Sequence, residues 1–349
     1  MKRIMVIGAL LILLILITHW KVYAEVNVPQ GEENIVFKTE PIFRASFIQS
    51  WYGKEFSLDR WIKELDMLKK VGVDEVIIQN VIDTENKDAV YPTELDGYTN
   101  YKADMLLNVL DAATVVGVKV RIGLGDSSEW WSKGIYSGKW LEDESETNIK
   151  VFNEIFDMYG EHSALCGWYI PYEFSQPFVV TQIQCDNLNK FYKKISREIK
   201  KKSKLDVMIS PYYNFNKYCI VPLDKWSTNV EIVLDNTGVD IVALQDSMGV
   251  KYNNLTNVGV VFIYTKKATD KLGMRLYADT ETFTSVGGKN VSASQSEIEK
   301  RIESVRPYVD GYVSFSINHF QNKNVKEQES NYYDYKNYYS DVIGLDSIS

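Results

Sequence analysis

Two glutamates close apolar segments that read as strands: Glu173 ends LCGWYIPYE and Glu281 ends MRLYADTE. Paired carboxyls at strand ends suit glycosidic bond cleavage. One protonates the leaving oxygen, and the other attacks the sugar or activates water. A separation of about 5–5.5 Å would give retention, and one of about 6.5–9.5 Å inversion. An ionised Glu281 facing Glu173 would raise its pKa and keep it protonated for the acid role. Asp279 lies two residues before Glu281 and so shares its face of the strand, one layer deeper. It reads either as an orienting partner or hydroxyl ligand, or as half of a buried ion pair with Arg44 or Arg121.

Other polar and aromatic side chains close similar segments: Gln49 and Trp51, Gln79 and Asn80, Tyr212 and Tyr213, Gln245 and Asp246, and His319. Such a ring suits a carbohydrate, because amides and acids bond hydroxyls while aromatic faces lie against sugar rings. Each residue also has a structural reading. Gln245 and Asp246 could cap loops, the two tyrosines could pack under a helix, and His319 could be a satisfied structural histidine. Trp130 and Trp131 are either stacking platforms or the edge of a core.

Neither a metal nor a cofactor is expected. Cys166, Cys185 and Cys219 are too few for a disulfide framework and lack ligand spacing. His19, His162 and His319 do not make a zinc site. The one metal-based alternative would use Asp246, Asp279 and Glu281 as oxygen ligands.

The elements that must position these groups recur as one unit: a short apolar strand, a helical stretch, and often a glycine before the next strand. The strand segments are 43–51, 75–81, 119–125, 165–173, 205–213, 240–246, 274–281 and 311–319. Between them, Ser57 caps a stripe of Leu58, Trp61, Leu65 and Leu68. Gly72, Gly117, Gly238 and Gly273 punctuate helix ends, and Ser294 with Glu297 forms a capping-box pattern. Lys200-Lys201-Lys202 reads as a solvated helix end. Strands alternating with helices imply parallel pairing. Eight units without a composition break predict a single-domain (β/α)₈ TIM barrel over 41–349, with its active site at the carboxyl ends of the strands. No glycine-rich phosphate turn follows the first strand, and Gly287-Gly288 reads as a simple loop.

Lys2 and Arg3 precede an apolar run from Ile4 to Thr18, with Val22-Tyr23-Ala24 as a cleavage site. Residues 1–24 therefore read as a signal peptide or membrane anchor and 25–40 as a linker. The expected location is extracellular or cell-surface, with membrane contact only through that anchor. A net charge of −8 argues against nucleic-acid binding. A hydrophobic content of 45% gives a sizeable core, and a monomer is expected.

The segments FRASFIQSW, VGVDEVIIQ, CGWYIPYEF, MISPYYN, ALQDSMG and LYADTETF resemble the domain-of-unknown-function family 4434, from about Pro41 to Phe320. That family is similar to clan A glycosidases, which are (β/α)₈ barrels. The resemblance implies Glu173 as acid/base and Glu281 as nucleophile, hence a retaining enzyme, with Gln79, Asp246 and Asp279 in the site. Clan A enzymes commonly place Asn directly before the strand-four glutamate, where it contacts the sugar 2-hydroxyl; here that position is Tyr172. The function expected is a secreted or tethered glycosidase acting on an oligo- or polysaccharide. The alternative is a non-catalytic carbohydrate-binding barrel.

Overall fold

The computed structural model describes residues 39–100, 104–215 and 221–344, all within one unit, Phe37–Ser349. The segment 1–24 with His19, most of the linker, and Cys219 lie outside the described residues.

Eight strands close a barrel in chain order: β1 (Ala45–Ile48), β2 (Glu75–Ile78), β3 (Lys119–Gly123), β4 (Leu165–Tyr169), β5 (Asp206–Ile209), β6 (Ile241–Gln245), β7 (Arg275–Glu281) and β8 (Gly311–Phe315). All eight pairings are parallel, and Ala45 opposite Val313 closes the ring. Every strand falls inside its predicted segment. Helices alternate with them: α1 (Leu58–Lys69), α2 (Met105–Val116), α3 (Gly138–Tyr159), α4 (Gln182–Lys202), α5 (Leu223–Leu234), α6 (Val258–Leu272), α7 (Gln295–Val305) and α8 (Glu329–Val342).

Local chemistry explains the helix ends. Ser57 accepts from the Arg60 backbone N–H, and Ser294 with Glu297 forms both bonds of a capping box. Gly117 and Gly273 end α2 and α6 with φ of 78° and 69°, which a residue with a Cβ rarely adopts.

Apolar side chains divide between two cores. Trp61, Leu65 and Leu68 of α1 join the layer between helices and strand backs, while Leu58 at the helix start is exposed. Phe47, Ile77, Tyr169, Met208 and Val313 point into the lumen instead. Arg121 also turns inward near the lower end, 2.6 Å from Glu75. At the upper rim a hairpin, Phe283–Val286 with Lys289–Ser292, follows β7. Gly287-Gly288 is its two-residue turn, with φ of 57° and 79°, and not a simple loop.

Candidate active site

The carboxyl ends of the strands frame a cavity of about 240 Å³ lined by ten residues, among them Gln79, Glu173, Gln245, Asp279 and Glu281. Its walls are apolar: Phe47, Phe283 and Phe315 surround the acids.

Glu173 lies four residues beyond β4, on backbone fixed from outside. The Trp130 indole donates to the Glu173 carbonyl at 2.7 Å, and the Tyr212 N–H donates to Phe174 at 3.1 Å. Burial pushes the Glu173 carboxyl up to about 8. The nearby Gln245 amide pulls the other way, and the charge of Asp126 adds a smaller rise. Its acid form therefore owes to an apolar surround and not, as the sequence suggests, to Glu281.

Glu281 ends β7. Its Oε2 accepts the Val250 N–H at 2.9 Å, and the Gly249 N–H also favours its charged form. Arg301 lies behind it. Burial, then the charge of Asp246, raise the Glu281 carboxyl to about 8. Asp246 is buried behind Glu281 and outside the cavity lining. Its Oδ1 accepts the N–H groups of Met248 at 3.0 Å and Glu281 at 3.4 Å. Burial raises Asp246 to about 6, against the lowering charge of Arg301. Asp246 and Glu281 thus titrate as a pair around one guanidinium.

Asp279 sits deeper, as the strand period requires. Its Oδ2 accepts from the Ser210 hydroxyl at 2.9 Å. The ion-pair reading fails, because Arg121 is engaged by Glu75 and Arg44 by Glu40 and Asp74. Burial, with Glu173, Asp246 and Glu281 nearby, holds the Asp279 carboxyl well above the usual range. Its Oδ1 and the Tyr169 hydroxyl are buried without a protein partner, and both residues line the cavity. Buried polar atoms of this kind await a donor or acceptor from elsewhere. Asp246, Asp279 and Glu281 do not group as a metal site, nor do any three His, Cys, Asp or Glu among the described residues.

The family model for the domain of unknown function DUF4434 matches residues 44–328. The chain belongs to that family. Solved structures extend the likeness of this DUF4434 protein at the level of fold. A Bacteroides thetaiotaomicron protein provisionally assigned as an alpha-L-fucosidase superposes with TM-score 0.76 at 20% identity, covering 91% of this chain and 99% of that one. The endo-1,4-beta-D-mannanase of Thermotoga petrophila gives 0.55 at 15%, covering 79% and 88%. The family 1 beta-glucosidase of Thermotoga maritima gives 0.54 at 10%, covering 88% and 99%. No curated protein matches the chain by sequence.

Other expected residues of the DUF4434 barrel lie elsewhere. Gln49 presents its backbone N–H to His319 Nε2 at 3.3 Å, and Asn80 is held by the Ser50 hydroxyl at 3.1 Å. His319 thus acts as an acceptor, and burial lowers it to about 4, so it is neutral. Trp51 is an exposed rim residue against the His319 ring. Tyr212 edges the mouth near Trp131. Tyr213 does not: it is buried against Trp226, and its hydroxyl donates to the Val221 carbonyl at 2.9 Å. Trp130 closes a core edge, stacked on Phe178, whereas Trp131 is exposed. Tyr172 also turns away from the cavity and donates to Glu144. Sequence reasoning missed Phe47, Tyr169, Phe283 and Phe315 in the walls, and Gly249 and Arg301 around Glu281. The first four carried a signal, since strand periodicity aims alternate residues inward.

Proposed function

We propose that this protein is a glycoside hydrolase acting on an oligo- or polysaccharide, with Glu173 as general acid/base and Glu281 as nucleophile. The observation that carries the reading is that both carboxyls line one small cavity at the barrel mouth, with Glu173 in its acid form at neutral pH. Glu173 gives its proton to the glycosidic oxygen as that bond to the anomeric carbon breaks and Glu281 bonds to the carbon. Water, deprotonated by Glu173, then displaces Glu281 and regenerates both groups, with net retention. The unpartnered Tyr169 and Asp279 atoms are suited to sugar hydroxyls. The neighbours named as mannanase and beta-glucosidase are consistent with this chemistry on the shared fold.

We further propose that the protein is exported: the basic residues Lys2 and Arg3 before an apolar run suit residues 1–24 to a signal or anchor that delivers the barrel to the cell surface or medium. Cell fractionation with N-terminal sequencing tests this, and a cytoplasmic protein with an intact first segment would refute it.

The catalytic test is Glu173→Gln, expected to cost about 10²–10⁴-fold in turnover while sugar binding persists. Hydrolysis at the parental rate would end the assignment. Glu281→Gly should lose turnover and regain it with azide, and NMR of the first-formed anomer reads retention. One observation favours a non-catalytic carbohydrate-binding barrel: a Glu281 held up to about 8 is a weak nucleophile at neutral pH. That alternative predicts binding without turnover.

A further inference from the structure

Beyond the cavity, large aromatic side chains stand on the rim, Trp51 and Trp131 exposed and Tyr212 and Tyr252 half-buried, and their places in the barrel are not random. Trp51 follows β1 and is 62% exposed. Its ring lies 5.2 Å from His319, which is in turn packed 4.7 Å from Tyr52, so the indole is braced from below and open above. Across the mouth, three rings from three loops adjoin one another. Trp131, after β3, is 47% exposed and lies 6.1 Å from Tyr212, after β5. Tyr212 lies 5.9 Å from Tyr252, after β6, with the planes 32° apart.

Tyr212 ties this strip to the candidate site. Its backbone pairs with Gln245, which lines the cavity beside Glu173, and the charge of Glu173 acts on its phenol. Tyr252 is two residues from Val250, which lines the cavity and holds Glu281. In the closed ring β1 and β5 are four strands apart in either direction, so Trp51 and Tyr212 are on opposite sides of the cavity.

Exposed and half-exposed aromatic rings beside a cavity of acids and amides are matched by a ligand with apolar faces and hydroxyl edges. A pyranose ring has that form. A single sugar fills the cavity and needs no platform on both sides of it. A chain does.

We infer that Trp51 on one side and the Trp131–Tyr212–Tyr252 strip on the other are sugar-binding platforms that hold a glycan chain across the cavity. Under the hydrolase reading, on which this consequence rests, the bond presented to Glu173 and Glu281 is internal, and cleavage is of the endo type.

The test uses the Glu173→Gln full-length protein and calorimetric titration with cello-, manno-, xylo- and chito-oligosaccharides from disaccharide to hexasaccharide. In the series that binds, the hexasaccharide should bind about 100-fold more tightly than the disaccharide. Trp51→Ala and Trp131→Ala should each weaken hexasaccharide binding about tenfold, while Trp51→Phe and Trp131→Phe, which keep an aromatic face, stay within about threefold. The parent enzyme on end-labelled hexasaccharide should release di-, tri- and tetrasaccharides first. Equal affinity for short and long chains, no binding in any series, unchanged affinity in both alanine variants, or monosaccharide as the sole first product would overturn the inference. Chain-length-dependent affinity with no turnover by the parent would support the platforms and refute the hydrolase assignment alone.

Discussion

The Arg301 guanidinium reaches from α7 to the end of β7 and donates to the Glu281 carbonyl oxygen. It also donates to the Phe283 carbonyl and the Thr284 hydroxyl, each at 2.8 Å. One buried cation thus fixes the carbonyls of Glu281 and Phe283, the residues on either side of Thr282, and supplies positive charge beneath Glu281 and Asp246.

Replacing it with an apolar side chain leaves those acceptors unpaired and removes the charge. Arg301→Met should destabilise the fold by about 3 kcal/mol, read as a lower urea midpoint. Arg301→Lys keeps the charge without the planar fork and should fall between. A Met variant as stable as the parent would show that Arg301 is dispensable.

After burial, Asp246 is the main influence on the ionisation of Glu281. Its charge raises the Glu281 carboxyl, so removing it must lower that pKa from about 8. Asp246→Asn retains an oxygen for the Met248 and Glu281 N–H groups while removing the charge. The ascending limb of the kcat/KM profile, which follows ionisation of Glu281, should move down by about one pH unit. The descending limb, set by Glu173 near 8, should stay. An ascending limb that stays or moves up would contradict the coupling.

The barrel was legible because its units are local: each strand segment is largely apolar, and six of the eight helices carry Ser, Thr or Gly at an end. Gln79, Glu173, Gln245, Asp279 and Glu281 meet at the cavity because strand ends converge in a closed barrel. Tyr213 could have been rejected from sequence, since it follows Tyr212 on extended backbone, where neighbours face opposite sides. Arg121 could not reach Asp279 because its side chain is held by Glu75, the first residue of β2, toward the other end of the lumen. Arg301 left no trace. Its partners lie 17 to 20 residues upstream, and a lone arginine in an amphipathic helix reads as solvated. The cause of the raised Glu173 pKa was misread for a related reason: strand ends reveal which acids meet, but not how apolar their walls are.

Gly249 carries a sharper constraint than its loop position suggests. A Cβ there would stand 2.4 Å from the Phe283 oxygen and 2.8 Å from Glu281 Oε2. The first is backbone pinned by Arg301, so the loop around Gly249 must shift, and the carboxylate it holds moves with it. Gly249→Ala should lower kcat about 10²-fold, as displacement of a reacting group does, and the backbone clash should cost about 1–3 kcal/mol of stability. Parental kcat in this variant would show that the Glu281 position is not critical.

Glu173 should also make the fold sensitive to alkali. In the unfolded chain a glutamate titrates near about 4.3, whereas in the fold this one titrates near 8. The fold therefore favours the protonated form. That contribution is complete below the unfolded value, and it is lost as pH rises through the folded one. Above that point a carboxylate stands charged among Phe47, Phe283 and Phe315, at a cost on the order of 2–4 kcal/mol. Gln has the same shape and cannot ionise. Glu173→Gln should therefore match the parent in Tm at about pH 5 and exceed it by several degrees at about pH 9. Glu281 and Asp246 are raised in both proteins, so their alkaline losses cancel in the comparison. A Tm difference that is constant from pH to pH, or that narrows toward alkali, would mean burial does not hold the proton on Glu173.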